Sequence, residues 1–452
     1  MLGKKQVNML EGSITKALLV IAIPVMVMNL LQSLFDVIDM TMLKMFDTDG
    51  LSVGAAGAST PLRGLINALV VGVATGGNVV IARYLGKKDP ENVDRAIGTA
   101  VAFSFLGGLL LTVIGLLGAN PLLKLINCSE VLFSRARLYF RMYYIGAPIL
   151  IFYNFCAAIL RAAGDSRKVM YISLTGGVVK VLANYVFVAV FRLGVLGVSL
   201  ATITSWCVYA GLSLWCLTRK DSPVQIKVRH IRIIKEELMK MLRIGIPTGL
   251  QTGFFYIANV LIVATVNSFG EKATTGVSIA NTFDGIMSAI CGATALAVMP
   301  YVSQNLGAKN PKRACRSVGR GILITICIGA VLGAASALLS RQLSSIMTDD
   351  PEVIAWSRQK MVIISSTYFI YGINQIMSAT MWSMGKPLAP TITTLIFLCA
   401  LRFAWVYFVF PLIPNLTFLY LVWPIGWALS AFTLWLVYIP TAKKLKSTAS
   451  IA

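Results

Sequence analysis

Long apolar runs follow one another along the whole chain, and short polar segments separate them. An apolar run of about 20 residues is long enough to cross a bilayer as an α-helix. Turn-forming and charged residues, such as KKDP at 87–90 and KNPKR at 309–313, mark the loops. The pattern predicts twelve helices, near residues 15–43, 52–82, 95–118, 134–162, 168–191, 195–217, 239–268, 275–306, 319–340, 353–384, 390–411 and 416–440.

The composition fits an all-α integral membrane protein without a sizeable water-soluble domain. Hydrophobic residues make up 57% of the chain and charged residues 13%, and the mean hydropathy is +0.77. A soluble domain carries roughly 25% charged residues. The longest polar stretch, near 219–243, is only a loop. The N-terminal segment MLGKKQVNMLEGSITK is polar and lacks a small-residue cleavage site, so we expect no removable signal peptide.

The basic residues indicate membrane orientation rather than nucleic-acid binding, although the net charge is +22. They lie in short loops, and about two thirds of them fall on the side that also carries both termini. We therefore expect cytoplasmic termini and a multi-pass protein of the bacterial plasma membrane. The eight cysteines are scattered and form no CxxC pair, and His230 is the single histidine. These residues predict neither a disulfide framework nor a histidine metal site.

An internal repeat is the strongest organisational signal. Residues 20–46 match 243–269, with Pro24 aligned to Pro247, and RYLGKKDPENVDRAIG at 83–98 matches QNLGAKNPKRACRSVG at 304–319. RAAGD at 161–165 similarly matches WSMGK at 382–386, and all three matches have offsets of 221–223 residues. An even number of helices per half makes the repeat parallel, an arrangement in which transporters bind substrate between the halves.

The repeat predicts two six-helix lobes, at residues 1–217 and 239–452, joined by a cytoplasmic loop at 218–238. A parallel repeat of this kind is typical of a secondary transporter. The sequence does not indicate an oligomer, and we expect a monomer surrounded by membrane lipids.

Several motifs in order resemble those of the multidrug and toxin extrusion (MATE) transporters, over nearly the whole chain. They are the Pro-containing first helix with Asp39, the loops YLGKKDP and QNLGAKNP, ILRAAGDSRK after helix 4, and NYVFVAVFRLGVLGVSLATITSW in helices 5 and 6. The resemblance implies two six-helix lobes around a central cavity. It also implies a secondary active exporter that works by cation-coupled antiport, driven by H⁺ or Na⁺, of bulky and mostly cationic amphiphiles. The acidic-basic loop motif of the major facilitators is absent after helix 2.

A polar stripe on helix 1 carries the first candidate site. Asn29, Gln32, Asp36 and Asp39 are spaced by three, four and three residues, which places them on one helical face. A carboxylate inside a membrane is costly and is a functional hypothesis by default. Two carboxylates one turn apart also raise each other's affinity for a proton. The resemblance aligns Asp39 with the functional acid of helix 1 in the family. A solvated Asp39 near the outer helix end is the alternative.

Helices 5 and 6 extend this candidate site only in part. By resemblance, Asn184 and Thr202 match polar positions that join the helix-1 acid in the cation site of some members. Val188 replaces the acid expected one turn after Asn184, which places a complete sodium site in doubt and favours protons. Lys180, one turn before Asn184, is either a counter-charge for Asp36 or Asp39 or a residue that snorkels toward the headgroups.

Opposite charges occupy repeat-equivalent positions at Arg63 in helix 2 and Asp284 in helix 8, 221 residues apart. We expect these two residues to meet in at least one conformation and to act as a gate. The alternative is that each one pairs within its own lobe, for example Arg63 with Asp36 or Asp39.

Further polar and aromatic residues in helices 4, 7 and 10 are candidates for the wall of a drug pocket, because aromatic faces attract organic cations and amides are costly in hydrocarbon. Together with Gln32 they are Asn154, Gln251, Tyr256, Asn259, Asn374 and Gln375.

The sequence therefore favours a cation-coupled exporter of organic cations without a prosthetic group. A flippase for lipid-linked oligosaccharides, of related fold, is the alternative, because such a protein exposes cations to an anionic lipid. A membrane-embedded enzyme would need a nucleophile and base or metal ligands, which one loop histidine and three embedded aspartates do not supply. Both of the non-transport alternatives, an enzyme or a receptor, predict no substrate-driven ion flux.

Overall fold

The computed structural model describes residues 7–46, 51–58, 60–125, 129–219 and 224–451, and the twelve predicted helices are present in it. The protein is an all-α membrane protein with six helices in each half of the chain. The first six are α1 (Ile14–Phe46), α2 (Leu51–Ala58 and Thr60–Lys87), α3 (Pro90–Leu125), α4 (Glu130–Ile145 and Ala147–Ala162), α5 (Ser166–Asn184, continued by Tyr185–Val190) and α6 (Gly194–Thr218). The second six are α7 (Lys235–Asn267), α8 (Glu271–Gly307), α9 (Pro311–Leu338), α10 (Pro351–Ser365 and Tyr368–Ser383), α11 (Leu388–Thr393, continued by Thr394–Ala400, Leu401–Ala404, Trp405–Val409 and Phe410–Leu412) and α12 (Leu416–Tyr420 and Val422–Ile451).

Ten of these helices are long and apolar enough, within the part of the chain that the structure describes, to cross a membrane. Nine qualify alone, and α4 qualifies as a pair of segments bent by 48° between Ile145 and Ala147. The remaining two, α7 and α10, carry charged residues in their first turns. At the start of α10 the backbone N–H of Glu352 donates to Asp350 at 2.9 Å, which holds the pKa of that carboxyl below its ordinary value.

The chain divides into two compact units. The two boundaries between them lie within α1 and α7, close to the repeat-related residues Pro24 and Pro247. Unit 1 contains Val27–Ile246, and unit 2 contains Val7–Met26 and Pro247–Ala452. A proline inside a helix removes one backbone hydrogen bond, so each of these helices has a natural point at which to change direction. The units differ from the sequence-based lobes in one respect. The first part of α1 belongs to unit 2, and the first part of α7 belongs to unit 1. The lobe boundaries stay a prediction from the repeat.

The segment that precedes each of these helices is docked on the unit to which it belongs. In unit 2 the Arg313 guanidinium donates to the backbone oxygens of Met9, Glu11 and Gly12 at 3.2, 2.7 and 2.9 Å. In unit 1 a Cβ added at Gly98 would lie 1.9 Å from the backbone oxygen of His230. Only glycine permits this approach of the segment before α7 to α3.

The helices α5 and α11, which occupy equivalent places in the repeat, both contain stretches of π-helix. In α5 the stretch is Tyr185–Val190, and in α11 there are two, Thr394–Ala400 and Trp405–Val409. Stretches of this kind are rare and occur frequently at functional sites. Each of these helices also carries a buried cation, Lys180 in α5 and Arg402 in α11.

Candidate functional site

Close packing of α1 on α5 in unit 1 positions the first group of candidate residues. A Cβ added at Gly177 of α5 would lie 1.7 Å from the ring of Phe35 in α1, so the glycine makes room for this ring. Asp39 follows Phe35 by one helical turn, and Lys180 follows Gly177 by nearly one turn. Residues three or four apart lie on the same helical face, so the contact brings the carboxylate and the ammonium together.

Asp39 is held by two donors from α5, and the three residues Asp39, Lys180 and Asn184 are called the Asp39 site below. The Lys180 ammonium lies 2.6 Å from Oδ2 of Asp39, and the Asn184 side-chain amide donates to Oδ1 at 2.6 Å. All three side chains are buried, with Asp39 5% exposed and Lys180 8% exposed. Each carboxylate oxygen therefore faces a donor, and the ammonium compensates the buried negative charge.

Apolar residues surround the next turn of the same helices. Leu43, one turn after Asp39, and Val188, one turn after Asn184, belong to one buried cluster. Val188, the position at which the resemblance leads us to expect a second acid, is thus surrounded by hydrocarbon. Thr202 is half-buried in α6, and its backbone oxygen accepts from Ser205 at 2.7 Å.

Arg63 of α2 packs on aromatic residues of α4. Its guanidinium lies over the ring of Tyr139 at 4.6 Å and over that of Tyr143 at 5.2 Å. Its Nη1 also donates to the Tyr139 hydroxyl at 3.4 Å. An aromatic face attracts a cation electrostatically, so this contact stabilises the arginine within unit 1.

Asp284 of α8 forms an ion pair with Lys360 of α10 in unit 2, and Asp284, Lys360 and Asn281 are called the Asp284 site. The ammonium lies 2.8 Å from Oδ2 of Asp284 and also donates to the Asn281 side chain. The two paired side chains are 15% and 3% exposed. The Tyr368 hydroxyl donates to the backbone oxygen of Asp284 at 2.9 Å. The acid is thus neutralised by a partner from its own unit.

The Arg63–Tyr139 and Asp284–Lys360 contacts occupy equivalent places in the repeat. Both members of the second contact lie 221 residues after the corresponding members of the first. In unit 1 this place holds an arginine on an aromatic ring, whereas in unit 2 it holds an ion pair. Direct contact between Arg63 and Asp284 stays a prediction.

Arg402 of α11 occupies the place in unit 2 that Lys180 occupies in unit 1. Its Nη1 donates to Oδ1 of Asn259 at 2.8 Å, and its guanidinium lies over the rings of Phe255 and Trp423 at 5.1 and 5.0 Å. Asn259 matches Asp36 in the repeat, and Ile262 matches Asp39. Arg402 on α11 therefore contacts an amide, whereas Lys180 on α5 contacts an acid.

The remaining predicted residues are dispersed over both units. Gln251 and Asn374 are buried, and Oε1 of Gln251 and Nδ2 of Asn374 have no hydrogen-bond partner among the described residues. Asn154 donates to the backbone oxygen of Leu150 at 2.9 Å, and Gln32 and Gln375 are half-buried. The side chains of Asp36 and Tyr256 lie outside the described part of the chain.

Lys360 and Arg402 are not among the candidate residues that the sequence analysis identifies, although both are buried and engaged in the structure. A signal for Lys360 is present in the spacing of its neighbours. Val353, Ser357 and Ile364 are buried with it, and this spacing of four, three and four residues defines one helical face. A lysine on such a face predicts a buried cation that needs a partner.

A family model described as MatE matches the chain twice, at residues 24–186 and 247–408. The two matches begin at Pro24 and Pro247, the prolines that align in the internal repeat. Together they cover most of both halves.

Individual proteins are similar over most of their length. The probable multidrug resistance protein YoeA of Bacillus subtilis is 25% identical over 85% of this chain and 84% of its own length. A FAD transporter of Shewanella oneidensis is 22% identical over 87% of both chains. The crystal structure of MATE in complex with MaL6 superposes with a TM-score of 0.91 at 22% identity, covering 98% of this chain and all of that one. At this level of identity, the similarity to the crystal structure shows a shared fold.

Proposed function

The chain belongs to the MATE family of membrane transporters, and we propose that it exports amphiphilic organic cations by antiport coupled to protons. It is a transporter and not an enzyme. In this proposal the two six-helix halves perform the exchange by alternating access. We place it in the bacterial plasma membrane as a monomer with both termini in the cytoplasm.

The observation that carries the proposal is the Asp39 site. Its carboxylate is buried, and both of its oxygens face donors from α5, the Lys180 ammonium and the Asn184 amide at 2.6 Å each. A sodium ion would need several oxygen ligands at this place. The ammonium supplies the positive charge instead, and Val188 supplies hydrocarbon where a second acid would serve a metal ion. The geometry therefore favours a proton as the coupling ion.

A proton that binds Asp39 changes the charge of the site as a whole. The neutral carboxyl no longer compensates Lys180, and the buried ammonium then favours any arrangement that returns it to water or to another acceptor. Two unit charges about 4 Å apart at an effective dielectric near 20 interact by roughly 4 kcal/mol before desolvation is subtracted. A remainder of about 1.4 kcal/mol shifts a two-state equilibrium about tenfold, which is sufficient to couple protonation to the orientation of the lobes.

Organic cations as substrates rest on the resemblance and on the aromatic residues of α10 and α12. Tyr368, Tyr371 and Trp427 form a mutually packed group in unit 2, with ring centroids 5.2–5.6 Å apart. Such faces attract quaternary and aromatic cations. Among the relatives, the names cover both multidrug resistance proteins and a FAD transporter, which supports small amphiphilic molecules as the broader substrate class.

Export of a fluorescent organic cation from proteoliposomes that contain the purified protein tests the proposal. An imposed proton gradient should drive the dye against its own gradient, and a protonophore should abolish this transport. Equal dye movement with and without the gradient would contradict antiport. Dye movement no faster than in protein-free liposomes would favour the alternative of a lipid-linked oligosaccharide flippase, which predicts no gradient-driven dye export.

A further inference from the structure

We propose that Arg402 forms a binding site in unit 2 for the carboxylate or phosphate group of an aromatic amphiphile, so that the protein accepts zwitterionic and anionic substrates as well as cations. This inference rests on the proposed export function and extends its substrate class. It starts from the charge of one deeply buried side chain.

Arg402 has no acidic partner among the residues that the structure describes. The side chain is 1% exposed, and its one described hydrogen bond to another side chain is to the neutral amide of Asn259. Its second terminal nitrogen, Nη2, is buried and has no hydrogen-bond partner in the described part of the chain. A buried guanidinium without a counter-charge is costly, and a buried donor without a partner calls for an explanation.

The internal repeat supports this inference, because the equivalent cation in unit 1 has an acidic partner. In unit 1 the equivalent cation, Lys180, is neutralised by Asp39. In unit 2 the position of Asp39 is held by Ile262, which is 3% exposed and part of the apolar cluster. Unit 2 therefore has the buried cation on α11 but has no acid at the equivalent position of α7. A bound anion would supply the compensating negative charge.

The surroundings of the guanidinium restrict how an anion can approach. Cζ of the guanidinium lies over the rings of Phe255 and Trp423, 5.1 and 5.0 Å from their centroids. A guanidinium donates hydrogen bonds in its own plane, and here the edge that carries Nη2 holds the donor without a described partner. Carboxylate and phosphate oxygens accept in this plane and match the guanidinium better than a halide does.

Two further features agree with a binding role. Buried donors accumulate in the same apolar cluster, where the Tyr420 hydroxyl and the Trp427 indole N–H have no partner among the described residues. The segment Leu401–Ala404, which carries the arginine, is flanked by the π-helical stretches Thr394–Ala400 and Trp405–Val409. Stretches of π-helix occur frequently at functional sites, and here they stand on both sides of a buried charge.

Asp284 contacts Tyr368 of this cluster through its backbone oxygen, and its carboxylate is already engaged by Lys360 at 2.8 Å. Lys360 and Arg402 both lie over Trp423, at 5.9 and 5.0 Å. Among the described side chains these are two cations and one acid, a net positive charge that an anionic substrate group would neutralise.

A rhodamine carboxylic acid and its methyl ester form a matched pair of probes, because they share the cationic ring system and differ only in the anionic group. Binding of both to the purified protein in detergent is measured by equilibrium dialysis. We expect the acid to bind about tenfold more tightly than the ester, in line with a charge-assisted hydrogen bond. Arg402→Gln should remove this preference, and the exposed Arg341→Gln should retain it.

Asn259→Asp provides a second variant, which keeps the arginine and places an acid beside it as in unit 1. It should remove the acid preference while the apparent Tm stays at or above that of the unchanged protein, so a folding defect cannot account for the result. Equal affinity for acid and ester in the unchanged protein, or a preference that survives both variants, would overturn the proposal. Proton-driven export of the ester is measured in parallel and decides the proposed function separately.

Discussion

The ammonium of Lys180 lies 2.6 Å from the carboxylate of Asp39, and both side chains are buried between α1 and α5. This ion pair gives the N-terminal half a self-compensated site at the place where the family resemblance aligns a functional acid. The equivalent cation of the second half, Arg402, meets an amide. The two halves thus share a backbone plan and differ in the charge that their interiors hold.

The first prediction concerns the contact that positions this pair. Gly177→Ala should strongly reduce export, because the new Cβ would overlap the Phe35 ring and push α1 away from α5. Combining it with Phe35→Ala should restore part of the transport by removing the overlapping ring. Initial rates in proteoliposomes provide the measurement. Gly211→Ala is the control, since its Cβ would meet no atom within 4 Å. Equal rates for the two single variants would refute the role of this packing.

Neutralising the acid of the same site should abolish coupling. Asp39→Asn keeps the shape of the side chain but cannot exchange a proton, so gradient-driven export should fall to the level of protein-free liposomes. The variant should still insert into the membrane and elute as a single species on size exclusion. Asp349→Asn, at an exposed acid of unit 2, should transport at the normal rate. Normal export by Asp39→Asn would remove this residue from the coupling mechanism.

The Asp284–Lys360 pair should behave as a buried ion pair. Lys360→Met leaves the carboxylate uncompensated, a loss typically of about 3–5 kcal/mol, whereas a double variant that also contains Asp284→Asn should recover most of that stability. Thermal unfolding of the purified protein, followed by tryptophan fluorescence, measures the difference. Lys272→Met is the control, because the exposed Lys272–Glu352 pair at 2.8 Å should leave the Tm unchanged. A double variant as unstable as the single one would mean that the charges do not compensate each other.

Docking of the segment before α7 should depend on Gly98 and not on its repeat partner. Gly98→Ala would place a Cβ 1.9 Å from the His230 backbone oxygen, and overlap of this kind typically costs about 1–3 kcal/mol. Gly319→Ala, at the equivalent residue of α9, would meet no atom within 4 Å. The apparent Tm should therefore fall only for the first variant. Similar Tm values for both would contradict the observed approach.

Much of the architecture follows from the sequence, because apolar length and the spacing of glycine and proline determine where helices cross a membrane. The twelve helices and the repeat were predicted in this way, and the double match of the family model agrees with them. The polar stripe of α1 likewise pointed to Asp39. Hydropathy works well here because the bilayer leaves few alternatives to a helix.

Side-chain partners were less accessible to the same reasoning. The repeat identifies equivalent positions, such as Arg63 and Asp284, but equivalence does not specify contact. Lys360 is paired with Asp284 because α10 packs on α8, and that packing depends on small residues far apart in the chain, such as Gly276 against Val353 and Trp356. The burial of a long cationic side chain is decided by such tertiary packing and not by the polarity of its immediate neighbours.

The central claim is that the Lys180 ammonium occupies the position beside Asp39 at which a sodium ion would bind, so that protons drive export. Export under separately imposed proton and sodium gradients tests this claim most directly. Proteoliposomes are given either a proton gradient without sodium or a sodium gradient at equal pH, and initial rates of dye export are compared. The unchanged protein should respond to the proton gradient alone, and Lys180→Met should lose most of this response without responding to sodium, because its Asp39 carboxylate loses the ammonium that compensates its charge. Sodium-driven export by the unchanged protein, with no response to the proton gradient, would contradict the account.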